Sequence, residues 1–599
     1  MKSKETIRNQ ILSYTNQIWG TRKIERLDLL VQMMVGTLAN ELYLVQNKLN
    51  DIDTTLLEKI ARKLTPEKYM SVRPAHTILH MTPNHPVVLL EQNNTFTLEW
   101  VPDGFVDEKA DAIIFHPVAN TCLYNIKIDN IFHYKQLYAV DSNLKKQLIV
   151  NAEKQPVSNS LWLGLDINQE VENLKGLSFY IDFPKLSEIH ELYDVLPFTK
   201  CFINGKEIGL KQGFPAQEEP SMEFDLDILH FYNDHYLRID EKVEVNNLKQ
   251  ELVPEELKDI INLEQVSDLK PKYWVKLQFL SYFTVDILQN IVIAVNTFPV
   301  SNKKLMKTNI IRENLSKMTM LSSELGEKLL SIDSITDNRD RSFTLDVITG
   351  NNDPGTYHLE SVNKVFIEEF GLTDYIEHLL DMMDDERTVF SAIDKDKVTQ
   401  VMSTLANTGN EDAQKTDINN RNTGEEITQL LISPYKNTSM VNVSYWVTYG
   451  KHLNNIPSGK IFTSDKTAKI DGLIAQSLCE VYGAKEFTDI QDIMSIDRYL
   501  FTSKDRIITE HNIKCFCESE LGRAIEKVEI SLGGKISPKP KEGIIRVVNI
   551  TLYPSAGYPD LLCRKGTLKS LKVRLQERSP DDFIYNINIG EQSPLVFPH

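Results

Sequence analysis

Two histidine pairs, one cysteine pair and several acid pairs are the residues whose types and spacing could do chemistry. Cys515-x-Cys517 has the start of a thiolate metal site, but a tetrahedral site needs a second pair or a histidine cluster, and no such partner follows it. His76 and His80 lie four apart. On a helix they would share a face; in the strand-like run Thr77-Ile-Leu-His-Met81 they stand about 13 Å apart and do not converge on a metal. His230 and His235 lie five apart in a Phe- and Tyr-rich stretch and read as core or surface histidines. Asp225/Asp227, Asp384/Asp385 and Asp581/Asp582 have the pairing that glycoside hydrolysis uses, yet 84 acids in one chain generate such pairs by number alone. Gly459-Lys460 and Gly534-Lys535 are each followed by Ile, with no glycine five residues earlier. The phosphate cradle and the magnesium-binding hydroxyl of a P-loop are therefore both missing. No Gly-x-Ser-x-Gly elbow and no His-Glu-x-x-His helix occurs. The expectation is a protein that is not an enzyme, with no catalytic, cofactor-binding or metal-binding residues.

Composition points the same way. The 599 residues carry 66 Lys and Arg against 84 Asp and Glu, a net charge of −18. So acidic a chain gains little from nucleic-acid phosphates or from an anionic membrane surface, both of which are recognised by clustered basic residues. Six cysteines, Cys122, Cys201, Cys479, Cys515, Cys517 and Cys563, do not make a disulfide framework at this length. Met1 to Arg8 is polar and charged with no apolar run behind it, so no secretion leader is expected. The most apolar stretch, Tyr273 to Val300, is broken by Lys276, Gln278, Asp286, Gln289 and Asn290 and reads as strands rather than a membrane span. The cytoplasm is the natural compartment.

The elements that would position any site begin with helices. Ile7 to Trp19 is a short amphipathic helix. Glu25 to Asn50 is a long one, with Leu27, Leu30, Met34, Leu38, Leu42, Val45 and Leu49 recurring at helical steps. A third opens near Thr55 with a capping box to Glu58 and stops at Pro66. From Ala75 to about Leu345 short alternating runs with turn residues between them predict strands, and Trp100, Trp162 and Trp274 there, with Trp446 further on, could stack against a glycan. Ser361 to Arg387 reads as an acidic-ended helix, and 407–425 as a polar loop. The last module is patterned most clearly. Thr509 caps a helix that Gly522 ends; Val528, Ile530 and Leu532 alternate as one strand, and Ile544 to Leu552 as a second. A helix carries Leu568, Leu571 and Leu575, and Phe583, Tyr585, Ile587 and Ile589 alternate as a last strand. Helix, strand, strand, helix, strand is a ferredoxin-like order. The fold class expected is α+β and multidomain: N-terminal helices over 1–74, β-rich domains over 75–345, a mixed α/β insertion over 346–502 and a ferredoxin-like interaction domain over 503–599.

Several segments carry a family resemblance. The helices running into Leu64-Thr-Pro-Glu-Lys-Tyr-Met-Ser-Val-Arg-Pro-Ala-His76, the strand Ile291-Val-Ile-Ala-Val-Asn-Thr-Phe-Pro-Val300 and the strand Leu329-Leu-Ser-Ile-Asp-Ser-Ile-Thr336 resemble, in order, segments of the type VI secretion baseplate subunit family TssF. Asp505 to Ile513 and Leu568 to Ile589 are similar to the C-terminal module of baseplate J-like phage wedge proteins. The resemblance implies a structural wedge subunit of a contractile injection machine. It would pair, as two copies to one, with a TssG-like subunit around a VgrG-like spike hub, contact TssE-like and TssK-like subunits and self-associate; with the acidic charge, no nucleic acid and no direct membrane insertion are expected. It would reside in a cytoplasmic baseplate docked at the inner membrane. The phage-like ending leaves a wedge of an extracellular phage-tail-like particle as the alternative, and a β-rich carbohydrate-binding protein behind it. The stripe from Leu27 to Leu49 and the strand residues Phe583, Tyr585 and Ile587 are the candidate partner-binding residues.

Overall fold

The computed structural model describes residues 72–101, 111–141, 144–152, 159–184, 191–261, 269–311, 319–321, 327–345, 354–363, 426–464, 474–485, 490–555, 566–580 and 582–590, with a few isolated residues besides, among them Val35, Leu38 and Ala39. The N-terminal helices, most of the acidic helix and the 407–425 loop lie outside the described residues. Five helices matter below: α1 (Glu191–Val195), α2 (Glu223–Asn233), α3 (Ile490–Ser503), α4 (Glu510–Leu521) and α5 (Thr567–Glu577).

The described chain is β-rich and multidomain, as expected. A closed barrel takes its strands from distant parts of the sequence, in the order His76–His80, Thr297–Asn302, Asp111–Pro117, Phe96–Trp100, Ile461–Ser464 and Ile474–Ser477. Closure leaves no open edge, which is how a small sheet avoids pairing with its neighbours. Alternation along these strands sends Ile78, Phe96, Phe115, Phe298 and Phe462 inward, where Phe96 packs tilted against Phe298 and Phe462 meets Phe115 edge-on. Burying each of these phenyl rings stabilises the barrel by about 1.5–3 kcal/mol. Because the strands Ile461–Ser464 and Ile474–Ser477 complete this barrel, the 75–345 segment does not close it on its own.

Beside the barrel, a seven-stranded sheet and a four-stranded sheet share one core, with Leu163, Val275 and Ile131 from the first against Phe179, Leu237 and Ile293 from the second. Asn296 ties this sandwich to the barrel. It sits at φ 54°, a left-handed conformation that Asn tolerates better than most residues, and its side chain bonds the Tyr124 amide and the Tyr124 and Ile126 carbonyls. That is the physical reason an Asn interrupts the apolar run Ile291–Val300. The second resembling strand, Lys328–Asp337, pairs with Met440–Thr448 through two register shifts, in a unit whose core includes Ile310, Ile335, Leu430 and Tyr445. Ser361 to Asn363, expected to begin a helix, instead ends the strand Thr356–Asn363, which pairs along its length with Glu426–Ser433.

The C-terminal module packs α3, α4 and α5 on one face of a three-stranded sheet. Thr509 caps α4 by accepting from the Asn512 amide. The hairpin strands Ile525–Ile536 and Ile544–Pro554 pair antiparallel, and Tyr585–Ile589 adds parallel to the second of them. The element order is the one expected, but the pairing is not ferredoxin-like among the described strands. A split βαβ unit places a strand between its two parallel ones, whereas here they are neighbours.

Candidate functional site at the seam between barrel and C-terminal module

The residues singled out for chemistry each have a structural place. His76 is buried, donates to or accepts from the Tyr232 hydroxyl at 2.9 Å, and burial drives its pKa down to about 3, so it is neutral at physiological pH. His80 and His235 donate Nδ1–H to the Val295 and Ile181 carbonyls. Cys515 and Cys517 point to different sides of α4; burial raises both thiols, Cys517 beyond the usual range, which leaves them protonated and unreactive. The five described cysteines are all free. Among the described residues no group of three or more His, Cys, Asp and Glu could hold a metal ion. Asp225 forms a buried ion pair with Lys303 and accepts from the Ser301 hydroxyl at 2.9 Å, pinning α2 to the barrel, while Asp227 reaches across to Arg574. Trp162, Trp274 and Trp446 are buried, with Trp446 and Trp162 capped by Lys303 and Lys276, so three of the four proposed stacking platforms belong to the core.

Where charge does converge is the seam joining the C-terminal module to the barrel. Glu520, on the last turn of α4, receives both terminal nitrogens of Arg73 at 2.7 and 2.6 Å, and Arg574 Nε of α5 lies 3.4 Å away. Against the cost of burial, Arg574 and Arg73 hold this carboxyl well below the usual carboxylate range. Lys485 donates to the Ser519 and Glu520 carbonyls, compensating the C-terminal end of the α4 dipole. Farther along, His230 of α2 meets Glu577 of α5 at 2.6 Å, and Arg578 bridges Asp505 at 3.0 Å and Glu223 at 3.3 Å. The Glu577 carboxylate, then Asp227 and Glu219, raise the pKa of His230. Aromatic packing backs the charges, with His76, Phe231 and Tyr482 in mutual ring contact. Gly483, at φ 89°, passes so close that a Cβ there would strike the His76 ring. A half-open pocket of about 40 Å³ remains between Arg73, His76, Asp227, Phe231 and Arg574, room for a few waters.

The candidate partner residues divide. Leu38 is helical and 52% exposed, while its neighbours Val35 and Ala39 are buried. Leu27, Leu30, Met34, Leu42, Val45 and Leu49 lie outside the described residues. Tyr585 and Ile587 are 2% and 3% exposed and Phe583 packs beside them, so these three fill the module's own core and offer little to a partner. The alternation that marked them is the signature of any half-buried strand. The most exposed apolar residues of this module lie instead at the hairpin tip, on a face whose alternation was visible but whose cover was not.

No family model matches the chain, and no curated protein matches it. Its fold is similar to chains of two solved type VI secretion assemblies. One is the TssK-TssF-TssG baseplate subcomplex, at TM-score 0.46 and 10% identity over 93% of this chain and 96% of that one. The other is a baseplate complex from the same kind of system, at TM-score 0.38 and 8% identity over 98% and 96%. Likeness at that level leaves function to be argued from the residues.

Proposed function

We propose that this chain is a structural subunit of a type VI secretion baseplate, a wedge protein that pairs with a TssG-like subunit in the cytoplasm, where the baseplate docks on the inner membrane. The observation that carries this reading is the ordered set of TssF-like segments at the start and middle of the chain, followed by segments similar to baseplate J-like wedge proteins near its end. What they do in the fold supports it. Arg73, inside the first segment, and Glu520, in the C-terminal module, join two parts of the chain that lie 447 positions apart in sequence. A part that transmits load needs its modules fixed to one another, and buried bidentate arginine links do that better than exposed ones. The functional copy number, two of this chain to one TssG-like chain, and contacts to TssK-like, TssE-like and VgrG-like subunits, belong to the same proposal.

A strain lacking this chain, carrying a fluorescent sheath subunit, tests it. On this reading no sheath extends, and expression of the chain in trans restores extension. Normal sheath dynamics in the deletion strain would remove the baseplate role.

A further inference from the structure

The most exposed large apolar side chains among the described residues are Leu532 at 86%, Ile544 at 79% and Ile536 at 77%; the next, Ile474 and Ile508, reach 63%. All three of the first group sit on one face of one hairpin. Register places them there. Ile536 is directly opposite Ile544, Gly534 opposite Arg546, and Leu532 opposite Val548, so even-numbered residues of both strands share a face. Nearer the base, that same face carries Val528, Ile550 and Leu552, which α4 and α5 cover with Phe516, Leu571 and Leu575. The apolar face thus runs on past the end of its helical cover.

The opposite face is already occupied. Lys535 there is bonded to Glu191 of α1 at 2.5 Å, and Glu191 is further held by the Tyr282 hydroxyl. The hairpin is therefore held down from behind, with its bare apolar side outward. Gly534 leaves a gap in that side. A Cβ there would come within 3.3 Å of the Ile544 Cγ2, so the gap is a shallow notch bounded by Leu532, Ile536 and Ile544, with exposed Arg546 across it.

We propose that this hairpin tip docks an amphipathic helix of a partner protein, one that inserts an aliphatic side chain at Gly534 and presents a carboxylate to Arg546. A helix is the occupant because the same sheet face takes two helices at its base, and a third would continue that layer without a change of packing geometry. The acid follows from charge: Arg546 is set among aliphatic side chains and, once covered, needs a carboxylate to balance it. The chain's own excess of acid over base, 84 to 66, makes the basic side of the pair the informative one. The inference does not depend on which assembly the chain serves.

The test uses the full chain with a photo-crosslinking phenylalanine analogue at Ile536, made together with the products of its neighbouring genes. The expected product is a crosslink to a different protein, within a segment of helical apolar period with Asp or Glu beside the crosslinked residue. Gly534→Val and Arg546→Glu are each expected to cut its yield at least tenfold, and Arg546→Glu to leave the melting temperature unchanged, because that side chain faces solvent. Ile536→Ser with Ile544→Ser, with the crosslinker moved to Leu532, gives the same loss without touching glycine. A crosslink to a second copy of this chain, to lipid, or to a segment without that pattern overturns the inference, as does no crosslink at all. An intact complex lacking any tip crosslink would sink this inference and leave the baseplate role standing. A tip crosslink to an acidic helix of a protein outside any baseplate would do the reverse.

Discussion

Glu520→Gln is the perturbation that the seam makes most informative. The wild-type carboxylate takes two charge-assisted bonds from Arg73 and faces Arg574 Nε at 3.4 Å, with side-chain exposures of 9%, 17% and 14% for Glu520, Arg73 and Arg574. The amide keeps one oxygen for a hydrogen bond but removes the charge that both terminal nitrogens of Arg73 face. Arg574 retains Asp227. Breaking a buried pair costs about 3–5 kcal/mol, and the partial exposure of Arg73 places this case at the low end, about 3 kcal/mol, or roughly 150-fold in the docking equilibrium. Barrel and C-terminal module each have their own core, so the loss should appear as undocking and not as unfolding. Hydrogen exchange reads both. The amides of Arg73, His76 and Lys485, which bond between barrel segments lying beside the seam, are expected to exchange faster by about that factor, while those of the barrel strand Thr297–Asn302 keep their protection. Unchanged seam amides would refute the reasoning, and equal acceleration in the barrel would show that the network holds up the whole fold instead.

Three further outcomes follow from named groups. His230 has its pKa raised by Glu577, so its contribution is fully present below pH 6.5 and lost as pH rises through the raised value; melting curves across that window should lose this dependence in His230→Ala. Asp337, fully buried, meets the cost of burial with Arg341 and the amides of Arg341 and Arg339, which bring it down to about 2. Its contribution is present above about 3.8 and disappears as pH falls through 2, and Asp337→Asn should flatten the acid limb of an unfolding titration. Leu38→Asp places a charge at a half-exposed helical position; the isolated chain should melt as wild type, while a TssG-like partner should no longer co-purify, since an unpaired charge in a bundle costs several kcal/mol. Assembly that survives the change would remove Leu38 from the interface.

What the sequence disclosed was local. The alternation of Val528, Ile530 and Leu532 and the Thr509 cap marked elements correctly because period and capping act within a few residues. The same alternation in Tyr585 and Ile587 could not say whether the covering layer was the module's own or a partner's. The barrel was illegible because its closure joins Thr463 to Thr97 and Gln476 to His80, contacts no short window contains. Ser361 to Asn363 was misread as helix because its pairing with Glu426–Ile427–Thr428 is set from outside the segment. The seam was hidden for a related reason. Arg73, Glu520 and Arg574 carry no spacing motif, and a single charged residue gives no sign in sequence that it is buried.

The proposal that this chain is a baseplate wedge is tested most directly by purifying the tagged chain with its neighbouring gene products and weighing the complex by native mass spectrometry. The expected mass is two copies of this 68.8 kDa chain with one TssG-like subunit. A monodisperse single chain that ignores that partner would contradict it.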